Sequence, residues 1–103
     1  MTWEGVRKLG LAMPGVEDGT SYGTPALKAK KKFFVRLRPE LDSIVLPMPF
    51  EQREALMAEA PEKYYITDHY LNYEYVLVRL GKVKEEEMRD LLKAAYREAG
   101  RKR

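Results

Sequence analysis

The part of the chain that decides the fold runs from Pro14 to Arg38 and reads PGVEDGTSYGTPALKAKKKFFVRLR. Its glycines and prolines break the first half into turns and short extended pieces, because these residues favour turn conformations. The second half, from Ala26 to Arg38, predicts two strands, at about 26–29 and 33–38, that pair as a hairpin. This half carries six positive charges and no negative one, the strongest charge asymmetry in the chain.

The alternation of apolar and basic residues predicts the register of this hairpin. With a three-residue loop at 30–32, one face of the hairpin is apolar and the opposite face is exposed to solvent. A two-residue turn at Lys31-Lys32 would bring lysines onto the apolar face. Since a shift of one residue exchanges the faces, the pattern favours the three-residue loop. The predicted apolar face holds Leu27, Ala29, Phe33, Val35 and Leu37, and the solvent face holds Lys28, Phe34, Arg36 and Arg38.

The remaining sequence predicts three helices and further strands. Thr2 is the predicted N-cap of a first helix that Pro14-Gly15 ends. The turn at 39–42 then pairs Leu37 with Ile44 in the next strand. A second helix is predicted at about 50–60, followed by strands at 64–66 and 74–80.

The last helix shows the clearest periodicity. Its apolar positions recur at helical spacing before Gly100, at Met88, Leu91, Leu92, Ala95, Tyr96 and Ala99. The order of elements predicts one α+β domain over residues 1–103, with helices packed on one face of a mostly antiparallel sheet.

Motifs along the chain resemble those of the MmcQ/YjbR family. They are Leu11-Ala12-Met13-Pro14-Gly15-Val16, Tyr22-Gly23-Thr24-Pro25-Ala26-Leu27-Lys28, Lys32-Phe33-Phe34-Val35, Thr67-Asp68-His69-Tyr70, Tyr75-Val76-Leu77-Val78 and Ala95-Tyr96. The resemblance covers nearly the whole chain and implies the family's fold, a sandwich related to CyaY (frataxin). It also implies DNA binding, for which a double-wing arrangement is proposed in the family. The sequence departs from the family pattern at Lys31, where glycine is usual and a positive φ is easier to adopt.

The basic hairpin is the candidate functional site. Its cations can contact phosphates, and an exposed Phe34 can stack on a base or a sugar. The alternative is a solvated strand face whose lysines discourage edge pairing. No predicted helix is rich in Asn, Gln and Arg, so contact with DNA phosphates is expected rather than base readout. The predicted nucleic-acid-binding residues are Lys28, Lys30, Lys31, Lys32, Phe34, Arg36 and Arg38, and the tail Arg101-Lys102-Arg103 adds three positive charges.

Two further features allow other functions. Five of the seven tyrosines fall in residues 64–75, where they can pack helix against sheet or form a protein-interaction or homo-oligomeric surface. His69 is the one histidine, and it fits either a hydrogen-bonded structural role or proton transfer at a small-molecule site. The sequence leaves the oligomeric state open.

No motif predicts a reaction, a cofactor or a metal site. The chain has no cysteine for a thiolate. A frataxin-like relationship suggests iron binding through an acidic first helix. In this chain Glu4 is accompanied by Arg7 and Lys8, so iron binding is not expected. We therefore expect a binding protein rather than an enzyme.

Composition also bears on location. No apolar run reaches the roughly 18 residues that a membrane span needs, and the first residues lack a secretory signal. A cytoplasmic protein with no membrane contact is expected. One asparagine and one glutamine beside 34% charged residues are typical of a thermophile.

Overall fold

The structure is a computed structural model that describes residues 1–101. Six strands form one antiparallel sheet in the order β1-β2-β3-β4-β6-β5, and three α-helices accompany it. This confirms the predicted α+β fold. The helices are α1 (Trp3–Leu11), α2 (Phe50–Glu59) and α3 (Glu85–Ala99), and the strands are β1 (Val16–Ser21), β2 (Thr24–Ala29), β3 (Lys32–Arg38), β4 (Ser43–Pro47), β5 (Tyr64–Tyr65) and β6 (Tyr75–Arg79).

The main core lies between the sheet and helices α1 and α3. Helix α1 begins as predicted, because the Thr2 hydroxyl accepts a hydrogen bond from the backbone N–H of Gly5 at 3.2 Å. A Cβ atom at Gly10 would collide with the side chain of Leu27, so this glycine lets α1 approach β2 closely. The buried residues that meet in the core include Val6, Leu27, Phe34, Val35, Ile44, Leu46, Val76, Val78, Met88 and Leu92.

We call the other side of the sheet the open face. Arg36, Val45 and Leu77 lie side by side across strands β3, β4 and β6. A short 3₁₀ turn at Asp68–Tyr70 covers part of this face, where Tyr70 packs with Val45 and Leu77 as a second, smaller cluster. No residue of the three described α-helices belongs to this cluster, and Arg36, Val45 and Leu77 are all buried.

The hairpin of β2 and β3 differs from its predicted register at one point. The pairings of Leu27 with Val35 and of Ala26 with Arg36 are those that the three-residue loop requires. Closer to the tip, however, Lys28 pairs with Phe33, so Phe34 has no partner on β2. This β-bulge shortens the loop to a two-residue turn at 30–31. The predicted three-residue loop is therefore wrong, while the predicted pairing of Leu37 with Ile44 across the next turn is confirmed.

The two-residue turn imposes a left-handed backbone on lysines. The φ angles are 52° at Lys30 and 69° at Lys31, as a type I′ hairpin turn demands. A side chain with a Cβ atom is strained in this region, whereas glycine is not. Lys31 is thus held in an unfavourable conformation that glycine would adopt more easily.

We expect Lys31→Gly to raise the free energy of unfolding by about 0.5–1 kcal/mol, because it relieves the positive-φ strain. Chemical denaturation measures the change. Lys31→Ala is the matched control, since it removes the same charge but keeps the Cβ atom and the strain. Equal gains from both variants would attribute the effect to charge repulsion among the lysines and would contradict the backbone explanation.

Candidate nucleic-acid interface

The tip of the hairpin projects lysines that the protein does not use internally. Lys30, Lys31 and Lys32 are exposed, and Lys28 is half-buried beside them. Within residues 1–101, none of these four side chains forms an ion pair or a hydrogen bond with a carboxylate. Their charges are available to an external anion.

The two arginines of β3 lie on the open face, but the prediction that Arg36 is exposed to solvent is wrong, and both side chains are engaged by the protein. Arg36 is only 8% exposed and donates to the hydroxyls of Thr24 at 3.2 Å and of Tyr70 at 2.9 Å. Arg38 donates to the same Tyr70 hydroxyl at 2.8 Å and to Glu40 at 3.2 Å. These arginines are fixed in position, unlike the lysines at the tip.

The charge of Arg38 is secured by its surroundings. Burial alone would lower the pKa of its guanidinium, but Tyr70 and Glu40 outweigh that effect and raise the pKa above the ordinary value. Arg38 is therefore a permanent cation on the open face.

Phe34 is not part of this surface. It is 0% exposed and lies in the main core, edge-on to Tyr96 with ring centroids 5.7 Å apart. The prediction that Phe34 shares a solvent face with the cations is wrong, because the bulge turns both Phe34 and Val35 toward the helices. Phe33 takes the open-face position instead, stacked on Tyr75 at 5.6 Å.

Two clefts meet at the same aromatic rings. One of about 640 Å³ is bordered by Lys28, Lys31 and Lys32, and one of about 790 Å³ is bordered by Arg36 and Arg38. Both clefts are lined by Phe33, Tyr73 and Tyr75. The hairpin lysines and the open-face arginines thus lie on either side of a shared aromatic surface.

Sequence analysis missed Tyr22. This residue is 87% exposed, has a φ of 52° and lies with its ring 5.2 Å from the guanidinium carbon of Arg36. Tyr22 and Gly23, both with positive φ, form the turn between β1 and β2. The signal in the sequence is Gly23, because glycine adopts a positive φ readily and here it lies between two extended segments.

Sequence analysis also missed Arg53, whose hydrogen bonds hold the backbone of the tyrosine-rich segment in place. Its side chain, on α2, is 4% exposed and donates to the carbonyl oxygens of Tyr70 at 2.9 Å, Tyr73 at 2.7 Å and Tyr75 at 3.1 Å. A fourth bond reaches Leu71 at 3.2 Å. One guanidinium group therefore fixes the backbone of residues 70–75.

The tyrosine cluster and His69 occupy mixed positions. Tyr64 and Tyr70 are buried in packing, whereas Tyr73 is 58% exposed. His69 is exposed, lies edge-on to Tyr70 at 4.9 Å and borders the larger cleft.

Arg101 borders the same cleft as the hairpin lysines, together with Glu74 and Glu98. Arg101 pairs with Glu98 at 3.0 Å, while Lys102 and Arg103 lie outside the described residues. Across residues 1–101, no three side chains of His, Asp or Glu come together as a cation site. None of the described helices has the length and apolar character that crossing a bilayer requires.

Comparisons with known proteins identify relatives by sequence and by fold. The model of the YjbR family matches residues 11–98. Among solved structures, the Deinococcus radiodurans protein DR2400, described as containing the domain DUF419, superimposes with a TM-score of 0.77 at 20% identity. The match covers 92% of this chain and 75% of that chain. No curated protein matches this chain.

Proposed function

Since this chain belongs to the YjbR family, we propose that it is a DNA-binding protein that contacts phosphates through the tip of its basic hairpin. The proposal assigns the protein a binding role and no reaction. The contact residues are Lys28, Lys30, Lys31 and Lys32.

The observation that carries this proposal is the absence of internal partners for these four lysines within residues 1–101. Glu17 lies across from Lys28 on β1, and Glu74 and Glu98 border the same cleft, but none of them forms an ion pair with these lysines within residues 1–101. The lysines therefore contribute a local positive potential at the hairpin tip, which attracts polyanions. The two-residue turn brings Lys30 and Lys31 to the end of the hairpin, where they can reach phosphates on a duplex surface. Because a lysine acts on phosphate as a point charge, this contact carries no base preference.

A titration of duplex DNA at several salt concentrations tests this proposal. Four phosphate contacts predict a slope of about −3.6 for the logarithm of affinity against the logarithm of salt concentration, at about −0.9 per contact. The variant Lys30→Ala/Lys31→Ala/Lys32→Ala should weaken binding strongly and reduce the slope to about −0.9.

The matched control is Lys8→Ala/Lys82→Ala/Lys93→Ala, which removes the same number of charges from exposed positions outside the hairpin. It should retain most of the affinity and the full slope. Equal losses in both triple variants would mean that only net charge matters, and an absence of binding at low salt would exclude the proposal.

A second candidate is a protein-interaction or homo-oligomeric module that uses the tyrosine-rich segment. The observation that favours it is the exposure of Leu71 and Tyr73, each at 58%, close together in the chain. Apolar groups exposed next to each other are a feature of interaction surfaces. Sedimentation separates the two candidates, since a strict monomer at high concentration contradicts self-association and leaves DNA binding unaffected.

A further inference from the structure

The larger cleft on the open face holds two cations around one hydroxyl group. Arg36 and Arg38 donate to the same oxygen atom of Tyr70, at 2.9 and 2.8 Å. Two positive charges are thus brought together by a neutral group. Glu40 is the carboxylate nearest to them in the hydrogen-bond network, and its side chain is 60% exposed, so water screens its charge. The pair of arginines therefore keeps a local excess of positive charge.

This cluster also has donors without acceptors. The Nε atom of Arg36 is shielded from solvent and, in the part of the chain that the structure describes, has no hydrogen-bond partner. The Tyr70 oxygen accepts two hydrogen bonds, and the hydroxyl proton itself has no acceptor among residues 1–101. Buried polar groups in native proteins nearly always have partners, so an unpaired donor beside a cleft calls for an explanation.

The same cleft presents aromatic rings. Phe33 and Tyr75 stack on each other at one side of it, and Tyr22 extends above Arg36. The cleft volume of about 790 Å³ lies in the range typical of small-molecule sites. Rings beside a cluster of cationic donors match a ligand that has a flat ring at one end and an anion at the other.

We propose that this cleft binds a nucleotide, with its phosphate against Arg36, Arg38 and Tyr70 and its base against the aromatic rings. A phosphate monoester offers several acceptor oxygens, which suits a site where guanidinium and phenol donors converge. The nucleotide can be a free nucleoside monophosphate or a nucleotide within a single strand, since both carry this chemistry. The proposal does not depend on DNA binding by the hairpin tip, because the residues of the two sites are different.

Isothermal titration with adenosine monophosphate, adenosine and inorganic phosphate, each on the folded full chain, tests this site. Adenosine monophosphate should bind at least about tenfold more tightly than either fragment, because only it engages both the cations and the rings. A single-stranded oligonucleotide is the second arm, and it is titrated into the Lys30→Ala/Lys31→Ala/Lys32→Ala variant so that the hairpin tip does not contribute. Tighter binding than the monophosphate identifies a strand as the source, and equal or weaker binding identifies the free nucleotide. No heat with millimolar adenosine monophosphate, or equal affinity for inorganic phosphate, would overturn the proposal.

Variants connect the binding to the cleft. Arg38→Met should weaken adenosine monophosphate binding at least about tenfold, the factor expected for loss of one charge-assisted hydrogen bond. Tyr70→Phe keeps the buried ring and removes the shared hydroxyl, so it should weaken binding several-fold without unfolding the protein. The triple lysine variant of the hairpin tip is the control and should bind the monophosphate within about twofold of the original chain. Unchanged affinity in both cleft variants would contradict the assignment, whatever the hairpin does with DNA.

Discussion

Replacing Arg53 by methionine is expected to lower the free energy of unfolding by about 3–5 kcal/mol, since each hydrogen bond to a charged group contributes about 1.5–3 kcal/mol. Methionine fills a similar volume but donates nothing to the carbonyl oxygens of residues 70–75. Those oxygens would then be left in a largely buried site without a donor. Urea denaturation monitored by circular dichroism gives the difference directly.

Two neighbours on α2 are the controls for Arg53→Met. Gln52→Met introduces the same side chain at an exposed position and should change stability by less than about 0.5 kcal/mol. Glu54→Gln removes the ion-pair partner of Arg53, and because Glu54 is 59% exposed its loss should also matter little. A loss below about 1 kcal/mol for Arg53→Met would show that water replaces the guanidinium, and that the backbone of residues 70–75 is held in some other way.

Phe34→Ala is expected to lower the free energy of unfolding by about 3–5 kcal/mol, because it removes a fully buried ring and leaves a cavity beside Leu27 and Tyr96. Phe33→Ala, one residue earlier, should lower it by about 1–2 kcal/mol, since Phe33 is half-buried on the open face. The two phenylalanines thus form a matched pair, in which Phe34 contributes more to stability and Phe33 contributes more to nucleotide binding.

Binding measurements complete the comparison. Phe33→Ala should weaken nucleotide binding, whereas any Phe34→Ala protein that stays folded should keep it. Thermal unfolding and titration on the same two samples measure both quantities. If Phe33→Ala lowered the free energy of unfolding more than Phe34→Ala does, the bulged register would be contradicted. A regular strand, with Phe33 in the core and Phe34 on the open face, would then be favoured.

Local patterns were sufficient to predict much of this fold. Helix α3 is predicted because its apolar stripe, N-terminal carboxylates and final glycine all lie within one segment. The pairing of Leu37 with Ile44 is predicted because the short turn at 39–42 brings Arg38 next to Ser43. In both cases neighbours in sequence supply all the information.

The features that sequence analysis missed depend on distant residues. Strand β1 at 16–21 looks like loop sequence, with two acidic residues and a glycine, and it is held in place by pairing with β2. The bulge places Phe34 in the core near Gly10 of α1 and Leu27 of β2. The use of Arg53 depends on carbonyl groups 17 to 22 residues away. Periodicity within a segment does not indicate such contacts.

The candidate site was likewise predicted only where neighbouring residues in the sequence supply the information. The cationic character of the hairpin is evident from composition, because six basic residues follow one another without an acidic one. The lysines form no ion pair within residues 1–101, whereas both arginines donate hydrogen bonds to Tyr70. This difference is not evident from the sequence. It arises from a hydroxyl group more than 30 residues further along the chain.

The bulge gives β3 a tolerance to changes in length that other strands lack. Phe34 has no cross-strand partner, and the pairs on either side of it are Lys28 with Phe33 and Leu27 with Val35. A chain without Phe34 would therefore restore a regular ladder, and every other side chain would stay on its present face. Elsewhere in a strand, deletion of one residue would invert all side chains beyond it. A deletion at this point would therefore remove one core ring without inverting the strand.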